Sequence, residues 1–311
     1  MPAEYGYALG AAMLWALSSI AISGGLGALR GSGRPAGPAV ITGVLTSLTV
    51  GALVLGVATG WQISPAVLDP NVIAGGLLTF PIGTGLYYFA AVAHQGRAEL
   101  SSQYANVKPA LSVALGAGLF GEAFGTLELV VMLIIGAGVA VIVASALRQH
   151  AGLRPAVLGL ALAACWAGGE ACIRAATDSH TSLQVAFGAL LSSLLLALTA
   201  LAVYALAGVL APTRVRFRFA DFAPGRAHCA FALHGLLSFG LAYTLFFTSI
   251  ATIGLSRTVL VTVFWPSLAL ALGVGVAKAR RSSYPIGRPL ALSLALFAAG
   301  SGTYVVAQLL T

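Results

Sequence analysis

Long apolar runs separated by short polar or basic segments fill the chain from end to end. A helix needs about 20 predominantly apolar residues to cross a bilayer. That ruler marks ten segments. The first five are Tyr5–Gly24, Ala39–Gly60, Asn71–Ala93, Ala98–Phe120 and Leu127–Leu147. The second five are Pro155–Ala176, Leu183–Leu210, Ala227–Ala251, Leu255–Ala277 and Pro289–Leu309. The fourth is the least apolar, because Glu99, Lys108 and Pro109 lie inside it. The alternation of polar and apolar residues that marks a membrane barrel is absent, so the pattern predicts an all-α membrane protein of ten transmembrane helices.

The runs repeat. Gly76-Leu77-Leu78-Thr79-Phe80, followed by Leu86-Tyr87-Tyr88, matches Gly235-Leu236-Leu237-Ser238-Phe239, followed by Leu245-Phe246-Phe247, at the same offsets. Leu14-Trp15-Ala16 matches Cys165-Trp166-Ala167, and Pro109-Ala110-Leu111 matches Pro266-Ser267-Leu268. The halves are therefore residues 1–150 and 151–311, each with five spans. Five is odd, so two direct copies must cross the membrane in opposite senses. Charge gives the same answer independently. Thirteen of the sixteen Lys and Arg follow the first, third, fifth, seventh and ninth spans, so they lie on one face. Basic loops stay in the cytoplasm, which predicts that both termini lie outside it. Inverted repeats of this kind enclose a central cavity and characterise secondary transporters, with the substrate near the midplane.

Composition sharpens this reading. Hydrophobic residues make up 59% of the 311 and charged residues 8%, with a mean hydropathy of +0.96. A soluble domain carries about 25% charge, too much for this chain to match. The net charge of +8 reflects the membrane-flanking loops and not a nucleic-acid surface. Cys165, Cys172 and Cys229 have no CxxC spacing and read as small apolar-run residues. The first run lacks the basic leader of a signal peptide. No metal or cofactor is expected.

Polar residues within spans are the candidates for chemistry, because each is costly there. Trp166, Glu170 and Arg174 are spaced i, i+4, i+8 and share a helix face. One reading is a cavity wall, with an aromatic plate beside a Glu170–Arg174 charge pair that engages an amino acid's two ends. The other is an ion pair that anchors the sixth span. Trp15 is expected to face Trp166 across the pseudo-twofold axis. Phe80, Tyr87 and Tyr88 share one face of the third span, and Phe239, Tyr243, Phe246 and Phe247 one face of the eighth. Such stripes serve either packing or a ligand. Glu99, Gln103 and Asn106 form a polar stripe on the fourth span. Pro109 and Pro266 are expected to kink their spans, as hinges or gates or as static bends.

Residues Arg97 to Val143 resemble the repeat of the EamA family, in the drug/metabolite transporter superfamily. The resemblance rests on Ser101, Ser102, the central Pro109, Gly121-Glu122, and the spaced Gly136 and Gly138. The second half keeps Leu255-Ser256 and Pro266 but lacks a second Gly-Glu. More narrowly, the chain is similar to aromatic amino acid exporters of the YddG type. The resemblance implies alternating access by rocking of the two repeats, and export of amino acids and related metabolites from the inner (plasma) membrane.

Three function classes compete. No GxxxxGK[ST] is present, so gradients rather than ATP would drive a transporter. Glu170 and Glu99 are the only acids deep enough to carry a coupling proton, and facilitated diffusion or exchange fits equally. An intramembrane enzyme would need clustered catalytic groups, whereas the eight acids are scattered. A channel would need a ring of residues; with an internal axis, a monomer suffices for a pathway. Drugs and hydrophobic cations remain the alternative cargo, as for a multidrug exporter, though Arg174 would compete with cations for Glu170.

Overall fold

The structure, a computed structural model, describes residues 3–31, 36–93, 106–148, 153–210, 225, 227–279 and 287–310. Every regular element among them is helical. In chain order these are α1 (Ala3–Gly31), α2 (Ala36–Ala58), a 3-10 turn (Pro65–Leu68), α3 (Pro70–Leu77), a π-helical stretch (Leu78–Thr84) and α4 (Gly85–Ala93). Then come α5 (Lys108–Phe120), α6 (Thr126–Arg148), α7 (Leu153–Ala176), α8 (Ser182–Leu210) and α9 (Ala227–His234). A second π-helical stretch (Gly235–Ala242), α10 (Tyr243–Ile253), α11 (Leu255–Thr262), α12 (Trp265–Ala279) and α13 (Arg288–Leu310) complete the chain.

Joined end to end, these elements give nine helices, among the described residues, long and apolar enough to cross a membrane, and α5 is a shorter apolar helix. The architecture is that of an all-α, multi-pass membrane protein. Ten full-length spans were expected; residues 98–105 of the fourth, with Glu99 and Gln103, lie outside the described residues. Leu133, Val203, Leu206 and Leu292 are exposed in mid-helix. Water would penalise that surface at roughly 25 cal/mol per Å², and hydrocarbon does not.

Packing crosses between the halves. α1 lies against α9, the second π stretch, α10, α11 and α12, while α7 lies against α3, the first π stretch, α4 and α5. α2 packs on α9 and the second π stretch, and α8 packs on α3 and the first. α6 pairs with α13. Small residues make the close approaches possible, and serine hydroxyls tie helices to neighbouring carbonyls. Ser47 Oγ donates to Phe231 O at 3.0 Å, Ser293 Oγ to Gly138 O at 2.7 Å, and Ser301 Oγ to Val261 O at 2.6 Å.

The Gly121-Glu122 pair acts as a cap across the fold. Gly121 ends α5 at φ 63°. Glu122 then accepts the backbone N–H of Leu255 at 2.7 Å on Oε1 and that of Ser256 at 2.8 Å on Oε2. These amides open α11, where a carboxylate also meets the positive end of the helix dipole. Gly254 supplies the turn before α11 at φ 87°, and a β-carbon there would fall 2.7 Å from Glu122 Oε1. Glu122→Ala should therefore destabilise the protein by about 2 kcal/mol, the upper end of helix-cap losses. Thermal unfolding of the detergent-purified protein measures this, and Gly254→Ala should lower the midpoint in the same direction.

Candidate functional site

Two helices begin one residue before a proline. α5 starts at Lys108 after a turn at Asn106–Val107, and α12 starts at Trp265 after a turn at Val263–Phe264. Pro109 and Pro266 are thus the second residues of their helices. A first-turn proline sacrifices no helical hydrogen bond and presets φ. Pro266 stands where the ninth span breaks between α11 and α12, and the part of the fourth span before Asn106, which would show whether Pro109 bends it, lies outside the described residues. The freed amides and carbonyls of an interrupted helix are the usual raw material of a midplane site.

Lys108 begins α5, where the helix dipole disfavours a cation. The offset comes from Glu170 on α7. Lys108 Nζ forms an ion pair with Glu170 Oε1, and Ser112 Oγ, one turn further along α5, donates to Glu170 Oε2 at 2.8 Å. Glu170 is 2% exposed. An unpaired carboxylate at that burial would be expensive, and removing one member of such a pair costs about 3–5 kcal/mol. The ammonium also lies 6.0 Å from the ring centre of Trp15 and 5.4 Å from that of Phe246, within cation–π range.

This corrects the expected Glu170–Arg174 pair. Arg174 turns away from Glu170 and pairs with Asp178, which is 64% exposed, while its guanidinium carbon lies 5.3 Å over the Phe120 ring. A long cationic side chain near a helix end reaches outward to a hydrated partner, which leaves buried Glu170 to Lys108.

The aromatic candidates fall into two main groups. Trp15, Phe80, Phe239 and Tyr243 belong together. Ring centres are 5.2 Å apart for Trp15 and Tyr243, 4.9 Å for Phe80 and Tyr243, and 4.9 Å for Phe80 and Phe239. Phe246 and Trp265 complete this cluster, 4.9 Å and 6.4 Å from Trp15. Trp166 does not join it. Its ring lies 6.2 Å from that of Tyr87, and Nε1 donates to the Thr79 carbonyl at 3.1 Å. The expected apposition of Trp15 and Trp166 is therefore corrected: Trp15 packs on the eighth-span helix and Trp166 on the third. Tyr88 joins this second group through Tyr87, 6.0 Å away, and also lies 3.4 Å from Ser47 Oγ and 5.3 Å from the Phe231 ring centre. Gln103 lies outside the described residues.

The two π-helical stretches explain this placement. They occupy the matched Leu78 and Gly235 regions, and π-bulges gather at functional sites. In the first, Pro81 lacks an N–H to give the helix, and the Thr79 carbonyl accepts both the Thr84 hydroxyl at 3.3 Å and Trp166 Nε1 from outside. Gly83 makes room, since a β-carbon there would lie 2.6 Å from Trp166 Nε1. In the second, glycines take the place of proline at Gly235 and Gly240.

In the sequence Lys108 stands out only as a charge inside the fourth span, without a partner, and nothing there marks Ser112 or Trp265 as site residues. Ser112 lies i+4 from Lys108. Trp265 shares the repeat position of Lys108, each directly before a matched proline.

No family model and no curated protein matches the chain. Among solved structures, one described only as the crystal structure of a protein is similar, with a TM-score of 0.67 and 20% identity over 98% of each chain. That likeness is one of fold.

Trp166→Phe keeps a ring but removes one of two side-chain donors to the Thr79 carbonyl, which keeps the Thr84 hydroxyl at 3.3 Å. Losing one such hydrogen bond costs about 0.5–1.5 kcal/mol net, so the variant should unfold at lower temperature than wild type. Gly83→Ala should do the same by displacing the indole. A Tm equal to wild type for both would show that the indole bond adds nothing to stability.

Proposed function

We propose that the chain is a secondary transporter that exports amino acids, aromatic ones included, and related metabolites by alternating access. The observation that carries this reading is the Lys108–Glu170 ion pair, buried beside Trp15 and Phe246 at the start of α5. It offers one cation and one anion to a zwitterion and aromatic faces to its side chain. A charge pair is a poor anchor for stability alone, because desolvation offsets most of its attraction.

Further support comes from the packing. Several principal pairings recur with the halves exchanged: α1 on α9 to α12 against α7 on α3 to α5, and α2 on α9 against α8 on α3. This fits two inverted five-helix repeats, residues 1–150 and 151–311, around a central site, with α5 as the described part of a tenth span. The matched Gly76 and Gly235 fit it too, each abutting a carbonyl of the other half, Ala189 O and Ser47 O. Membership of the EamA family within the drug/metabolite transporter superfamily accords with this layout. So does an inner (plasma) membrane location with both termini outside the cytoplasm. Hydrophobic cations are the weaker cargo, since Glu170 is already neutralised by Lys108. No enzyme or channel chemistry is assigned.

Proteoliposomes containing the purified protein should exchange radiolabelled amino acids saturably, phenylalanine included. Flux of a lipophilic cation without flux of any amino acid would refute the cargo. Lys108→Met should reduce amino acid flux by about a hundredfold, the rate equivalent of roughly 3 kcal/mol lost with a buried charge partner. Cysteines placed in segment 214–226 should resist impermeant thiol reagents applied to intact cells; labelling there would reverse the orientation.

A further inference from the structure

The Lys108–Glu170 pair fixes the charge of the site before any substrate arrives. Arg174 is one turn from Glu170 but is held by Asp178, and Glu128 is met by Arg257 at 3.6 Å and by Tyr304 OH at 3.4 Å. Glu170 therefore answers to Lys108 alone among the cations that the structure describes near it, with Ser112 on its second oxygen. The resting site sums to zero: one ammonium and one carboxylate.

A carrier must return empty for net transport. An ammonium without a counter-ion resists passage through a dry bundle, because a charge away from water is costly there. A carboxylate built into the protein removes that obstacle. Now add an α-amino acid. Its carboxylate matches what Glu170 gives Lys108, and its ammonium matches what Lys108 gives Glu170. The pair can open and close around the substrate with every charge still matched. Two charges on the protein and two on the zwitterion again sum to zero, and no proton or metal ion is needed to balance them.

Resting on the amino acid reading above, we propose that Glu170 is the internal stand-in for the substrate's carboxylate. It occupies Lys108 in the empty carrier and turns to the substrate's ammonium in the loaded one. Glu170 is then a specificity-determining residue that selects zwitterions over simple organic anions. Transport is electroneutral uniport, in which loaded and empty forms both reorient as neutral species.

The same logic predicts what happens without the carboxylate. In Glu170→Gln the site carries one positive charge. A carboxylic acid lacking the amine then neutralises it completely, while a zwitterion leaves an ammonium unmatched.

The test uses the full-length protein in proteoliposomes with two probes of equal size, phenylalanine and 3-phenylpropanoate. For the wild type, phenylalanine flux should exceed 3-phenylpropanoate flux, and neither an imposed potassium diffusion potential nor a pH gradient should change phenylalanine flux. In Glu170→Gln the phenylalanine to 3-phenylpropanoate flux ratio should fall at least about tenfold, whatever the absolute rates. Glu170→Asp should restore the wild-type preference. If the wild type moves no amino acid, the transport reading fails and this proposal falls with it. If the wild type moves phenylalanine but the ratio is unchanged in Glu170→Gln, the transport reading stands and the stand-in role is overturned. Should the variant fail to fold, the wild type still decides, because phenylalanine flux that responds to voltage or drives against a pH gradient overturns neutral uniport.

Discussion

Every backbone amide and carbonyl in an apolar bundle must find its partner inside the protein, because an unsatisfied group in hydrocarbon costs several kcal/mol. The rest of this structure follows from that constraint. It makes each regular element helical. It also dictates how the irregular places are treated. Beside Pro81, where the helix widens, an indole from another helix donates to the Thr79 carbonyl. Where α11 opens, a carboxylate from the α5–α6 turn takes two amides at once. Serine hydroxyls bind carbonyls of neighbouring helices at Phe231, Gly138 and Val261. Each repair joins elements distant in sequence, so satisfying the backbone also assembles the tertiary fold.

The same constraint explains where charge is found. An apolar interior admits an ionised side chain only with its partner attached. Lys108 and Glu170 meet that condition together, with Ser112 completing the carboxylate. Arg174 meets it differently, by reaching to an exposed aspartate. The contrast separates two roles that look alike in sequence. The outward pair is hydrated and near the end of its helix. The inward pair is dry, surrounded by rings, and placed where a helix begins, and on that contrast rests our proposal for substrate binding.

Helix interruption and aromatic packing are coupled at this centre. Lys108 and Trp265 hold the same position in the two halves, directly before matched prolines. One half supplies a cation and the other an indole, and both approach Trp15. The two matched prolines thus keep their place while the residue before them differs in chemistry.

Much of this was present in the sequence because it depends on local rules. Apolar run lengths determined the helices and nearly all their boundaries. The odd number of spans per half and the one-sided basic loops gave the inverted-repeat reading without coordinates. The matched Gly-Leu-Leu runs marked the two places that became π-helical, although nothing in run length says that the helix widens there. Pairing across the bundle was not legible. Spacing put Glu170 and Arg174 on one face, and the sequence favoured their union, but side-chain direction and access to water decided against it. Symmetry placed Trp15 opposite Trp166, yet each indole packs on a different helix. Periodicity assigns a residue to a face of its own helix; only tertiary packing decides which neighbour that face meets, because the partner lies 58 residues away for Ser112 and Glu170 and 133 for Glu122 and Leu255.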